Sequence, residues 1–342
     1  MAAQTISSTS ASVPSGLRRV QLHRDLGKIA DLLEIAFGDT IDHAGMSAVR
    51  EMRALAQLGP LLWIVARLDR GIRAMNQGYV WIDPASRELV GNVSLYEAGF
   101  DRIIVVANVA VHPDYRRQGI AQQMMEAAMQ AALQHRAKEI QLQVDADNVG
   151  AQKLYEKLGF QRLGLFTHWQ WFPDSFIEVP PRRAGSLEIK RRTGREWKIH
   201  YQLAQQVRPN EHGGIGWLRP TAPRSFRRTP QQLFWALLGV EGYQHWVMHH
   251  PEDRHQFLAT LTMKSAFGAR YQHLELLLHP DAKSEHARDM ITFAMRQVAD
   301  YRRGLILEHP SDDESVNTIL RHLKFEPKRR LLHMRWYPQD ES

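Results

Sequence analysis

Cysteine is absent from all 342 residues, which excludes disulfides, thiolate zinc sites and a cysteine nucleophile and leaves the redox compartment open. Long apolar runs are also missing; none approaches the roughly 20 residues that a membrane-spanning helix needs. The opening stretch MAAQTISSTSASVPSG has neither a basic nor an apolar segment. No secretory signal is therefore expected, and residues 1–16 read as a disordered polar tail on a cytoplasmic protein. Neither G-x-G-x-x-G nor G-x-x-x-x-G-K-[ST] occurs, so the common dinucleotide and nucleotide-phosphate loops are excluded. What is present is ordinary for a soluble globular chain, 44% apolar and 24% charged, with a length that suits two domains. The net charge of +7 gathers at Arg182-Arg183, Lys190-Arg191-Arg192, Arg227-Arg228 and Lys328-Arg329-Arg330. A basic balance invites a polyanion, but no helix-turn-helix, zinc-finger or aromatic RNA-binding signature accompanies it. Nucleic acid is not the expected partner.

The most informative stretch runs from Val105 to Phe160. Ile103 to Val111 is apolar and β-branched almost throughout, as in a strand buried on both faces. His112-Pro113-Asp114-Tyr115 breaks it, because proline donates no ladder hydrogen bond. Arg116-Arg117-Gln118-Gly119-Ile120-Ala121-Gln122 then opens a helix-prone run rich in Ala, Met, Gln and Glu, up to about His135. Gly119 and Ala121 leave little side chain over the first turn, so unpaired N–H groups there can face an anion. The helix dipole and the two arginines add positive charge. A pyrophosphate is the chemistry suited to such a turn.

Arg116-x-x-Gly119-x-Ala121, following a strand, resembles the acyl-CoA signature of the GNAT acyltransferase superfamily. Asn148-x-x-Ala151-x-x-Leu154-Tyr155-x-x-Leu158-Gly159-Phe160 resembles the second half of that family's pattern. The resemblance implies direct acyl transfer, usually of acetyl, from acetyl-CoA to an amine in a ternary complex, with no metal. It implies that Val109, Ala110 and Val111 hold the pantetheine and thioester through their backbone, and that Arg116, Arg117, Gln118, Gly119, Ile120, Ala121 and Gln122 hold the pyrophosphate. Asn148 would bond the pantetheine arm, and Tyr155 would bind the cofactor and protonate the leaving thiolate. A phenol stays protonated at neutral pH and can donate at that moment. Glu97 is the first choice for the base that deprotonates the amine, with Asp101, Asp145, His112 or a water chain as alternatives. An acceptor site would draw on the first two helices, the loop Asp39–Gly45 and the strand end with Trp169 and Trp171. Those two tryptophans serve either the acceptor or packing against the second half of the chain. The rival function is a non-catalytic acyl-CoA sensor or interaction protein in which Tyr155 is structural. A homo-oligomer is left open.

Elsewhere, elements alternate. Leu17 to His23 reads as a strand, Asp25 as the N-cap of a helix carrying Leu26, Ile29, Ala30 and Leu33, and Ala44 to Leu58 as a second helix. Leu61–Leu68, Gly78–Ile82, Glu88–Glu97, Glu139–Val144 and Gln161–Phe172 read as strands, and Asp83-Pro84-Ala85-Ser86 as a hairpin turn. The fold class is therefore α/β with a mixed sheet: mostly antiparallel, with a parallel central pair and flanking helices. Landmarks then recur. His112-Pro113-Asp114 returns as His279-Pro280-Asp281 at an offset of 167, and Leu158 and Phe160 return as Leu323 and Phe325 at 165. The chain reads as a tandem duplication: residues 17–172 the active copy, 173–186 a proline-rich linker, 187–338 a degenerate copy. In that alignment Arg116, Gly119 and Ala121 meet Lys283, His286 and Arg288, Tyr155 meets Leu320 and Gly159 meets Lys324. His245, His249, His250 and His255 do not form a metal site along one strand, where residues four apart on the same face lie about 13 Å apart.

Overall fold

The computed structural model describes residues 16–38, 43–57, 77–98, 102–173, 178–227, 241–266 and 269–338. The expected strand Leu61–Leu68, most of the loop from Asp39 and the candidate base Asp101 lie outside the described residues. The elements are β1 (Leu17–Arg19), α1 (Leu22–Phe37), α2 (His43–Ala56), β2 (Gly78–Ile82), β3 (Leu89–Glu97), β4 (Ile103–Val111), α3 (Ile120–Gln134), β5 (Glu139–Asp145), α4 (Val149–Lys157) and β6 (Gln161–Trp171). They continue as β7 (Lys190–Arg191), α5 (Trp197–Val207), α6 (Pro223–Phe226), β8 (Glu241–His249), β9 (Phe257–Ala266), β10 (Tyr271–Leu278), α7 (Ser284–Ala299), β11 (Gly304–Pro310), α8 (Glu314–His322) and β12 (Glu326–Trp336). This is a mixed α/β fold, a sheet flanked by helices, as expected. Two compact units share the chain: residues 1–142, 153–160 and 335–342 form one, and 143–152 with 161–334 the other.

In the first unit the strands run in the order β1-β2-β3-β4-β5, antiparallel except for the parallel pair β4–β5. Leu22, Leu26, Ile29 and Leu33 recur every three or four residues along α1, so one apolar stripe meets the sheet, where Val80 and Leu89 complete the cluster. The helix starts three residues before Asp25, which is therefore not its N-cap. Asp25 is buried in the first turn; its carboxylate accepts from the Gln21 N–H and from both Arg18 terminal nitrogens, each at 2.7 Å. An acid placed there satisfies an orphan amide and complements the dipole. On α3, Met124, Met125, Ala128 and Met129 are buried. Gly91 lets the helix sit close on β3, since a Cβ there would lie 2.9–3.0 Å from Trp81 and Met124.

In the second unit the order is β12-β6-β11-β10-β9-β8-β7, with β10–β11 as its parallel pair. The strand that closes the first repeat, β6, lies here and pairs antiparallel with β11, Trp171 opposite Leu305 and Phe166 opposite Pro310. Compact units and sequence repeats thus divide the chain differently, and β6 is where they differ. Trp169 and Trp171 are consequently core residues of this unit, 2% and 1% exposed, packed with Leu276, Met290, Leu307, Leu320 and Phe325. The Trp169 indole donates to Asn317 Oδ1 at 3.0 Å and Trp171 stacks on Phe325. Of the two roles read for these tryptophans, packing is the one they fill.

The duplication is legible atom by atom. β5 and β11, α4 and α8, and β6 and β12 have bounds that all differ by 165. Gln152 Nε2 donates to the carbonyls of Asp145 and Ala146, and Asn317 Nδ2 to those of Pro310 and Ser311, the same positions 165 further on. After each helix the chain turns through a left-handed residue, Gly159 at φ 90° and Lys324 at φ 64°.

Candidate active site

The strand β4 is apolar enough to be buried, yet one polar residue interrupts it. Asn92 faces Ala110 and Ser94 faces Ala107, so Val93 stands opposite two residues, Asn108 and Val109. This is a β-bulge. Asn108 adopts φ 53°, a conformation asparagine tolerates better than other non-glycine residues. Its carbonyl accepts from Asn92 Nδ2 at 2.8 Å, and its own Nδ2 reaches the hydroxyls of Tyr96 (3.1 Å) and Ser94 (3.4 Å). On its other edge β4 pairs with β5 only from Ile103 to Val105. Among the described residues, the edge of Val109, Ala110 and Val111 turned toward β5 carries no ladder, which leaves backbone groups available to a ligand.

Beyond Val111 a short 3₁₀ turn, Pro113–Tyr115, leads to Arg116, then to Arg117 at φ 65° and Gly119 at φ 77°. Gly119 is the N-cap of α3 and no side chain caps it. The first helical bond is from the Gln123 N–H to the Gly119 carbonyl at 3.1 Å, so the N–H groups of Ile120, Ala121 and Gln122 have no acceptor within the helix. A Cβ added at Gly119 would meet only Gln123 Nε2, at 3.7 Å. The space over the helix end is open, and Arg116 to Gly119 are exposed around it. Gln118 and Arg117 stand beside it, and the Arg117 guanidinium is bonded to no described residue. These are the properties of an anion cradle. Arg116 behaves differently from its neighbour. Its Nε donates to the Val111 carbonyl at 3.3 Å and its Nη2 to the Ala36 carbonyl at 3.4 Å. Its charge therefore ties the C-terminal end of α1 to the end of β4.

Tyr155 lies on α4, 5% exposed, with its ring against Phe160 at 6.0 Å. Its hydroxyl makes no hydrogen bond to a described residue. Burial pushes the phenol well above its ordinary value, so it holds its proton. Lys157, one half-turn on, donates to Gln122 Oε1 at 3.2 Å and fastens α4 to the first turn of α3. Asn148 caps α4: its Oδ1 accepts from the Ala151 N–H at 3.1 Å.

The candidate bases are not gathered here. Glu97 is exposed at the end of β3 opposite Ile104, five strand positions or about 16 Å from Val109. Asp145 is held by two nitrogens of Arg329, at 3.0 to 3.2 Å. His112 accepts from the Asp114 N–H in its own turn. What the bulge collects instead is the polar set Asn92, Ser94, Tyr96 and Asn108. Asn92 is 0% exposed and its Oδ1 has no hydrogen-bond partner. Burial also raises the Tyr96 phenol, against the hydrogen bonds of Ser94 and Asn108. None of these four is among the site residues expected from the sequence. The signal was available: a lone asparagine inside VVANVAV and two polar residues alternating along β3.

In the second repeat the turn is shorter. Five positions separate Asp114 from Gly119, but only three separate Asp281 from Ser284. The helices align at 165 and the His-Pro-Asp motifs at 167, so Gly119 corresponds to Ser284 and Ala121 to His286. This corrects the pairing with His286 and Arg288 read from a single offset; the deletion lies in the turn itself. The His286 ring occupies the helix end, accepting from the Lys283 N–H at 3.0 Å.

The bulged strand thus loses its parallel partner and feeds an uncapped glycine turn. Residues 49–160, about a third of the chain, match the Acetyltransferase (GNAT) family. In fold the chain is similar to a GCN5-related N-acetyltransferase from Sphaerobacter thermophilus, with a TM-score of 0.61 at 16% identity, over 97% of this chain and 99% of that one. It is similar likewise to a tandem GNAT protein from the clavulanic acid biosynthesis pathway, with a TM-score of 0.52 at 16% identity, over 95% and 99%. In sequence, an N-alpha-acetyltransferase from Saccharolobus solfataricus is 42% identical over 59 residues, 17% of this chain and 35% of that protein. The chain spans about a third of the length of the curated relatives it matches. No helix among the described residues is long and apolar enough to cross a membrane.

Proposed function

We propose that the first repeat transfers an acetyl group from acetyl-CoA to an amine acceptor by direct transfer in a ternary complex. The observation that carries this reading is the continuous path from the unladdered edge of Val109–Val111 to the uncapped amides of Ile120–Gln122 beside Gly119. Backbone amides of Val109–Val111 bond the pantetheine arm and polarise the thioester carbonyl, where negative charge builds during transfer. The amides of Ile120, Ala121 and Gln122, with Arg117, hold the pyrophosphate. Tyr155 donates its proton to the departing thiolate; a buried phenol with no protein acceptor for its hydrogen is suited to that step. Asn92 Oδ1, Ser94, Tyr96 and Asn108 hold the water that takes the proton of the incoming ammonium, a role first read for Glu97. Arg116 and Asn148 shape the site through α1 and α4.

The test is release of free CoA thiol over a panel of amines, followed with a disulfide reagent. The chain has no cysteine, so every thiol detected is the product's. Acceptor-dependent release that Asn108→Ala reduces about tenfold or more, with Glu97→Gln within twofold of wild type, is the expected result. Binding of acetyl-CoA with no release across the panel would replace the enzyme by a sensor.

A further inference from the structure

His245 and His249 share one strand and lie too far apart along it for a common ion; their Nδ1 atoms face Thr262 Oγ1 at 3.0 Å and the Arg254 carbonyl at 3.1 Å. His250 differs, because the fold brings it beside residues that follow a second strand. His250 follows β8, and His279 and Asp281 follow β10. His250 Nε2 lies 3.6 Å from Asp281 Oδ2, and His279 Nδ1 lies 3.4 Å from the same oxygen. All three ligand atoms fall within 4.8 Å of one another. Two ligands of a tetrahedral zinc, each about 2.0–2.1 Å from the metal, are about 3.3–3.4 Å apart. Two edges of the trio, at 3.4 and 3.6 Å, are at or near that length, and both imidazoles are only partly buried and can rotate to shorten the third.

We infer that His250, His279 and Asp281 form a divalent transition-metal site, with Zn²⁺ as the ion that two imidazoles and one carboxylate favour over Mg²⁺ or Ca²⁺. His250 and Asp281 line an open pocket of about 460 Å³, from which water can complete the coordination. The charged side chains lining this pocket are Arg183 and Lys283 against Glu252, Asp281 and Glu285. Arg183 is already paired with Asp289 at 3.0 Å and Glu285 at 3.2 Å. Without metal, His250 Nδ1 accepts from the Glu252 N–H at 3.3 Å and His279 Nδ1 from the Asp281 N–H at 3.2 Å. His279 thus keeps Nδ1 free of a proton and ligates through it once that lone pair leaves the Asp281 N–H. His250 must move its proton from Nε2 to Nδ1 and give up a long contact.

The first repeat shows what is new. His112 also accepts from the Asp114 N–H, so the His-Pro-Asp turn is common to both copies. The position 167 residues before His250 is Asp83, which bonds the Tyr115 hydroxyl instead. Only the second copy adds an imidazole.

Equilibrium dialysis of the full chain against Zn²⁺, with Co²⁺ absorption as the second readout, tests the site. One tightly held ion per chain is expected, weakened at least tenfold in each of His250→Ala and His279→Ala, with tetrahedral Co²⁺ bands that Asp281→Asn alters. His255→Ala serves as the control that leaves binding intact. No stoichiometric binding, or equal binding in the His250 and His279 variants once their melting curves show they are folded, would overturn the proposal.

Discussion

The two repeats place the same strand, turn and helix in the same order and then treat the helix end in opposite ways. In the first, Gly119 leaves the amides of α3 bare and the backbone approachable. In the second, the turn loses two positions and His286 folds over the first turn of α7. The elements after the turn kept their spacing to the residue, and even the bridging amides of Gln152 and Asn317 kept their targets. Packing of the parallel pair constrains those later elements in both copies, because a one-residue shift would expose the apolar face. The turn carries no such load.

The largest effect should separate the two helices that follow. Tyr155→Phe should lower kcat by about 100-fold or more with little change in KM or melting temperature, because the hydroxyl bonds no described residue; steady-state kinetics and a thermal melt decide it. Its counterpart Leu320 is pure core, and Leu320→Ala should instead cost about 2–5 kcal/mol of stability.

The bridging amides sharpen the comparison next. Asn317→Ala strips the Trp169 indole and two carbonyls of their partner inside the core and should cost about 2–4 kcal/mol, read by denaturant unfolding. Gln152→Ala should cost less, since its outer partner Arg162 is exposed.

Smaller still is the effect of Glu308, matched in the first repeat by Gln143. Burial pushes its carboxyl up to about 7, against the Trp217 backbone hydrogen bond and the charges of Arg219 and Arg208. The folded state holds a proton that the unfolded chain releases near pH 4.5, so stability falls as pH rises through that interval to about 7. Glu308→Gln should therefore raise stability at pH 8 by about 1–2 kcal/mol, a modest figure because a fifth of the side chain is exposed, and change nothing at pH 4. His333 has the opposite sign. Burial brings it down to about 3, so its contribution is lost as pH falls below the ordinary imidazole range, and melting curves at pH 5 should keep that loss in the variant. The least effect is Lys324→Gly, which relieves a left-handed lysine where the first repeat has Gly159 and should gain up to about 1 kcal/mol.

Much of the fold was legible because period-two and helical patterns are local. The strand Ile103–Val111, the helix after Gly119 and the offset of 165 could be read directly from the residues. The turn could also be read, since an unusual φ needs glycine. What escaped depended on register and partners. Nothing local says that Asn108 is the bulged residue, that Glu97 falls opposite Ile104, or that Arg116 spends its charge on the end of α1. Nor does any local pattern say that β6 pairs with β11, which turned Trp169 and Trp171 from candidate acceptor contacts into core. His250 and His279, 29 positions apart in sequence, meet only because β8 and β10 flank the same strand.

The central claim is that one helix end binds and the other does not. Calorimetric titration of the full chain with acetyl-CoA tests it most directly, with Gly119→Glu and Ser284→Glu as the paired variants. The account predicts one site per chain, weakened at least thirtyfold by Gly119→Glu, which places an anion and a strained φ in the cradle, and unchanged by Ser284→Glu. Two sites, or binding that survives Gly119→Glu, would contradict it.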